Sequence, residues 1–112
     1  MKDDIEVRFS SSERVFVKEA LLETSFDNDV FEQWRVQMLE GMGESKTLFV
    51  SIFGLSALFS CVYPLSFSKE LSVTKKGEVK DFLYYLRSLS HGYGVRIQVM
   101  ESSRSPKRSK DD

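Results

Sequence analysis

From Thr47 to Phe67 the chain runs through TLFVSIFGLSALFSCVYPLSF without one charged side chain, and no other feature restricts its folding as strongly. A charge-free run of this length either crosses a bilayer as a helix, which takes about 20 predominantly apolar residues, or lies inside a folded core. Composition favours the core. Ser51, Ser56, Ser60 and Ser66 recur, Pro64 falls near one end, and Phe, Val, Ile and Tyr outnumber Leu and Ala. Such β-branched and aromatic residues suit the pleated surface of a sheet. As a hairpin, the run puts Leu48, Val50 and Ile52 on one side of its first arm and Thr47, Phe49, Ser51 and Phe53 on the other. Gly54-Leu55-Ser56 makes the turn, and Ala57, Phe59, Cys61, Tyr63, Leu65 and Phe67 share one face of the return. Pro64 donates no ladder hydrogen bond, so it belongs at an edge or a bulge.

The flanking segments favour the same choice, because both are amphipathic and would lack a core if the middle left for a membrane. Ile5, Val7 and Phe9 alternate with Glu6 and Arg8, the pattern of a strand with one wet face. After the turn material Ser10–Glu13, residues 14–26 begin β-branched and read as a second strand paired with the first. A helix over 13–23 is the competing assignment, since Glu-Ala-Leu-Leu-Glu favours helix. Asp27 is placed to cap the next helix, with Phe26 and Phe31 as its staple and Asp29 with Glu32 as an alternative capping box. Phe31, Trp34, Met38 and Met42 line one face of it, and Gly41 and Gly43 end it. A second helix spans residues 76–91, with Val79, Phe82, Leu83, Leu86 and Leu89 as its apolar stripe, Thr74 as its cap and Gly92 as its left-handed stop. Val95, Ile97 and Val99 alternate with Arg96 and Gln98 as a last strand.

These elements predict a single α+β domain over residues 1–101: a mostly antiparallel sheet of four or five strands with two helices packed on one face, in the order ββαββαβ. If 13–23 is helical, the order becomes the ferredoxin-like split βαββαβ. A chain of 112 residues suits one such core. Residues 102–112 carry little that is apolar and read as a disordered polar, basic tail.

One Cys and one His, thirty residues apart, offer no metal-ligand spacing, so no metal and no cofactor are expected. Cys61 amid Phe59, Val62 and Tyr63 reads as a buried thiol, and His91 at a helix end as a residue that suits the dipole. His91-Gly-Tyr-Gly94 follows a helix instead of preceding one, so it is not a phosphate cradle. The chain is therefore expected to be non-enzymatic. A lone cysteine fits a reducing compartment, and acids near the start, where a secretory signal would carry bases, point to the cytoplasm.

Net charge is −1, but residues 1–44 hold eleven acids against five bases and residues 45–112 eleven bases against six acids. Two partner classes follow. A protein-interaction module, such as a small inhibitor or immunity-like protein that occludes a partner surface, would use Phe49, Phe53 and Tyr63 as an apolar patch, which could also join two copies as a homodimer. Asp27, Asp29, Glu32, Glu40 and Glu44 would steer a basic partner such as a nuclease or toxin. The alternative is a nucleic-acid-binding domain that stacks bases on the aromatic sheet face, with Arg104, Lys107, Arg108 and Lys110 as a basic arm. The acidic balance and the lack of a Gly-Phe-x-Phe signature weigh against it.

Overall fold

The computed structural model describes residues 5–42 and 46–104. The charge-free run is neither a hairpin nor a span. It divides into a strand β3 (Thr47–Val50), a helix α3 (Ile52–Val62) and a 3₁₀ helix (Tyr63–Phe67). Ser51 starts α3 by accepting a hydrogen bond from Gly54 N at 3.2 Å. Every residue of α3 from Gly54 to Val62 is buried, as expected of a helix that is apolar all round. Pro64 sits in the first turn of the 3₁₀ helix, where its missing N–H leaves no bond unmade. The β-favouring composition is overridden by burial on every side. At eleven residues α3 is also far too short for a bilayer, and among the described residues no helix is long and apolar enough to cross a membrane.

Three further helices pack around α3: α1 (Ser11–Glu23), α2 (Asp29–Met42) and α4 (Val73–Gly92). The expected sheet of four or five strands is therefore replaced by a mainly helical domain, and neither the ββαββαβ order nor the ferredoxin-like βαββαβ order is present. Residues 14–23 are helical because Ser10 and Glu13 form a reciprocal capping box: Ser10 Oγ accepts from Glu13 N at 3.1 Å and Ser10 N donates to Glu13 Oε1 at 2.8 Å. The core positions Phe16, Val17, Ala20 and Leu21 then recur at helical spacing.

The first strand is where the sequence places it. β1 (Ile5–Arg8) pairs antiparallel with β3, Ile5 opposite Val50 and Val7 opposite Leu48, all four buried. Glu6, Arg8, Thr47 and Phe49 form the outer face of this two-stranded ribbon. Such a ribbon is marginal alone and is held by what it covers. At its end Tyr85 Oη accepts from Arg8 N at 2.9 Å. A second, two-residue pairing joins β2 (Thr24–Ser25) to β4 (Ser103–Arg104), residues that the sequence assigns to the tail.

The last expected strand is not a strand. Residues 95–102 form a strap across α3, whose serines replace a β ladder: Ser56 Oγ accepts from Gln98 N at 3.0 Å and Ser60 Oγ from Met100 N at 2.9 Å. Alternate amides face the same way, as in a strand, and serines four apart on one helical face meet them. Ile97 and Met100 pack their side chains against the core.

Helix boundaries differ from expectation in detail. Asn28 caps α2 in place of Asp27, its Oδ1 accepting from Val30 N and Phe31 N. Phe26 and Phe31 meet edge to face at 5.5 Å, as a staple would. Ser72 caps α4 in place of Thr74, and the left-handed residue is Gly94 (φ +72°), not Gly92. At the centre of the core Phe82 meets Phe16 and Phe9 edge-on at 5.8 and 6.4 Å. Each fully buried ring of this kind contributes about 1.5–3 kcal/mol.

Candidate functional site

The apolar stripe of α4 turns Val79, Phe82, Leu83 and Leu86 inward, and this fixes what the opposite side presents. Lys80, Tyr84, Arg87 and His91 recur at four-, three- and four-residue steps, so they lie on one exposed ridge about 17 Å long. Beside it runs the 3₁₀ helix, which carries Tyr63, Ser66 and the 65% exposed Phe67. Between them is a groove of 340 Å³, floored by Phe59 and Leu83 and walled by Tyr63, Phe67, Tyr84 and Arg87. Tyr84 stands 74% exposed at its rim.

The rings of the groove are fixed on one another. Phe59 stacks on Tyr63 at 5.7 Å, Tyr63 meets Phe67 edge to face at 5.1 Å, and the Arg87 guanidinium lies over the Phe59 ring at 5.5 Å. Cation–π contact of this kind holds Arg87 in place while leaving its outer donors open to solvent or a ligand. Arg87 also lines a second, adjoining basin of 310 Å³ with Ser90, His91, Arg96 and Ile97. Arg96 arrives on the strap. Among the described residues, neither the groove nor the basin is lined by a carboxylate.

The residues singled out from sequence do not assemble into one site. Phe49, at 62% exposure, and Phe53, at 56%, lie together at the corner where β3 enters α3, with Ile52 exposed beside them. Phe49 also lines a shallow groove of 280 Å³ with Trp34, Met38 and Gly41. Tyr63 is not part of that patch. It is ten residues farther along, about 15 Å down the helix, and belongs to the groove on α4. Asp27 and Asp29 are exposed at the start of α2, and Glu40 is exposed in its last turn, about 17 Å from Asp29.

Glu32 is committed to structure. Its carboxylate accepts from Arg35 and from Phe26 N, and Arg35 reaches on to the carbonyl of Leu21, tying α2 to the end of α1. The bond from Arg35 holds the Glu32 carboxyl below its ordinary range and raises the Arg35 guanidinium in turn. Glu44, Lys107, Arg108 and Lys110 lie outside the described residues, and Arg104 is placed only by its backbone pairing with Thr24.

No group of three or more His, Cys, Asp or Glu that could hold a metal ion occurs among the described residues. Cys61 is buried on α3 while His91 is exposed. Comparison with known protein families, with curated proteins and with solved structures found no match.

Half of the groove has a sequence signal: Lys80, Tyr84, Arg87 and His91 follow one helical face opposite the apolar stripe. The other half has none, because Tyr63 and Phe67 in an extended strand would not wrap toward α4.

Proposed function

We propose that this chain is a non-catalytic protein-interaction module that docks its partner in the groove between α4 and the 3₁₀ helix and acts by occupying the partner's surface, as a small inhibitor or immunity-like protein does. What carries the reading is the cluster of Tyr63, Phe67 and Tyr84: aromatic side chains that reach water around an apolar floor, Tyr63 and Phe67 set edge to face on one another. Aromatic residues and arginine dominate the energetic centres of protein interfaces because they bury large area at small entropic cost. A buried lone thiol at Cys61 suits work in a reducing compartment such as the cytoplasm.

The acids that would steer a basic partner are spread over α2, with Glu32 tied up internally, so they support steering weakly. The tail arm of the nucleic-acid reading starts at Arg104, and its Lys107, Arg108 and Lys110 lie outside the described residues. A second contact surface is favoured by the exposed Phe49, Ile52 and Phe53 corner, which suits self-association of two copies.

A photo-cross-linking amino acid at position 84, in extract of cells that express the protein, tests the proposal. It should yield one protein adduct that Phe67→Ala abolishes and that the same probe at exposed Glu19 does not give. Adducts from position 49 alone would move the interface to the Phe49 corner, and their absence from both positions would refute docking.

A further inference from the structure

We infer that the partner segment is acidic: a bulky apolar side chain fills the groove between α4 and the 3₁₀ helix, and neighbouring carboxylates settle in the Arg87, His91 and Arg96 basin. This rests on the docking reading above and adds the chemistry of the occupant. The groove and the basin adjoin at Arg87, which lines both. A peptide lying over both therefore meets an apolar floor and, around Arg87, two guanidiniums and an imidazole with no carboxylate lining either space among the described residues. Lys80 adds a cation at the other end of the groove.

Unpaired cations around an apolar pocket select for anchors flanked by negative charge, and guanidiniums take carboxylates in a planar, bidentate way. The charge layout of the whole domain agrees. α1 and α2 together carry six acids and three bases, whereas α4 carries four bases and two acids, so an acidic segment is drawn to α4 and away from the opposite sign.

The aromatic residues distinguish such a peptide from single-stranded nucleic acid. Base stacking needs ring faces that are open. Phe59 has Tyr63 and Arg87 against it, and Tyr63 is further engaged by Phe67, so the floor of the groove is closed to base stacking, and the rings left exposed, Phe67 and Tyr84, stand at its rim. A leucine, phenylalanine or tryptophan anchor fits a space of 340 Å³.

The test is selection of displayed random twelve-residue peptides on the immobilised full chain, followed by titration of synthetic versions. The expected peptides carry Asp or Glu within two or three residues of a bulky apolar anchor. Their affinity should vanish with Tyr84→Ala, fall about tenfold with the double change Lys80→Gln and Arg96→Gln, and weaken as salt is raised. All three side chains are exposed, so these variants keep the fold. Selected peptides that are neutral or basic yet still need Tyr84 would overturn the acidic partner and leave the groove standing. A failure to select any peptide, or binding indifferent to Tyr84→Ala, would overturn both. Tighter binding of a single-stranded twelve-nucleotide DNA than of the best peptide would also overturn the inference.

Discussion

Gly54 shows how closely the buried helix is fitted. A Cβ at this position would come within 2.9 Å of the Trp34 ring and 2.9 Å of Val50 Cβ, so any larger residue must push α3 away from α2 and β3. Overpacking of this kind typically costs 1–3 kcal/mol, and Gly54→Ala should lower stability by about 2 kcal/mol in urea unfolding although alanine is the better helix former. Glu32 supplies the pH dependence. Its carboxyl is held low in the folded chain by the bond from Arg35, so its contribution is present above the ordinary carboxylate value and is lost as pH falls through the lowered one. Since the side chain is 31% exposed, screening trims the gain to about 1–2 kcal/mol. Wild type should exceed Glu32→Gln by that amount in melts at pH 7, and the two should draw together as the pH is lowered through and below the carboxylate range.

Among the elements, the strap over α3 is the one whose order rests on two hydroxyls. Ser60 accepts from Met100 N and Ser56 from Gln98 N, so Ser60→Ala leaves the Met100 amide without its partner on α3. Amide hydrogen exchange at Met100 should quicken about tenfold or more in Ser60→Ala, with exchange in α1 and α2 unchanged. Equal acceleration everywhere would mean that the strap is part of the global unit. β1, α2 and α4 were legible in the sequence because each has one wet face, and alternation or helical spacing follows directly from that. α3 was not legible: a segment buried on all sides has no polar face to reveal its period, and Phe, Val and Ile then suggest a strand. The spacing of Ser56 and Ser60 does not help, since four residues put both on one side of a helix and also on one face of a strand. Only the fold distinguishes these. The Ser10 to Glu13 capping box was a cleaner signal for α1, hidden within a run of serines that also suits a turn.

For the molecule as a whole, the sign change between the two halves of the chain becomes a difference between helices, with an excess of acids on α1 and α2 and of bases on α4. The groove beside the α4 ridge brings together Tyr63 from the end of the charge-free run and Tyr84 and Arg87 from a helix some twenty residues later, a juxtaposition that exists only because Tyr63–Phe67 curls into a 3₁₀ helix. If the Phe49 and Phe53 corner joins two copies, sedimentation should show a concentration-dependent dimer that Phe53→Ser converts to monomer while peptide binding in the groove persists. The central claim, that the surface between α4 and the 3₁₀ helix is the docking face, is tested most directly by mapping amide shifts of the labelled full chain as an acid-flanked, leucine-anchored peptide is added. Saturable shifts concentrated in residues 59–67 and 80–97 are expected. Shifts confined to residues 47–53, or none at millimolar peptide, would contradict the claim.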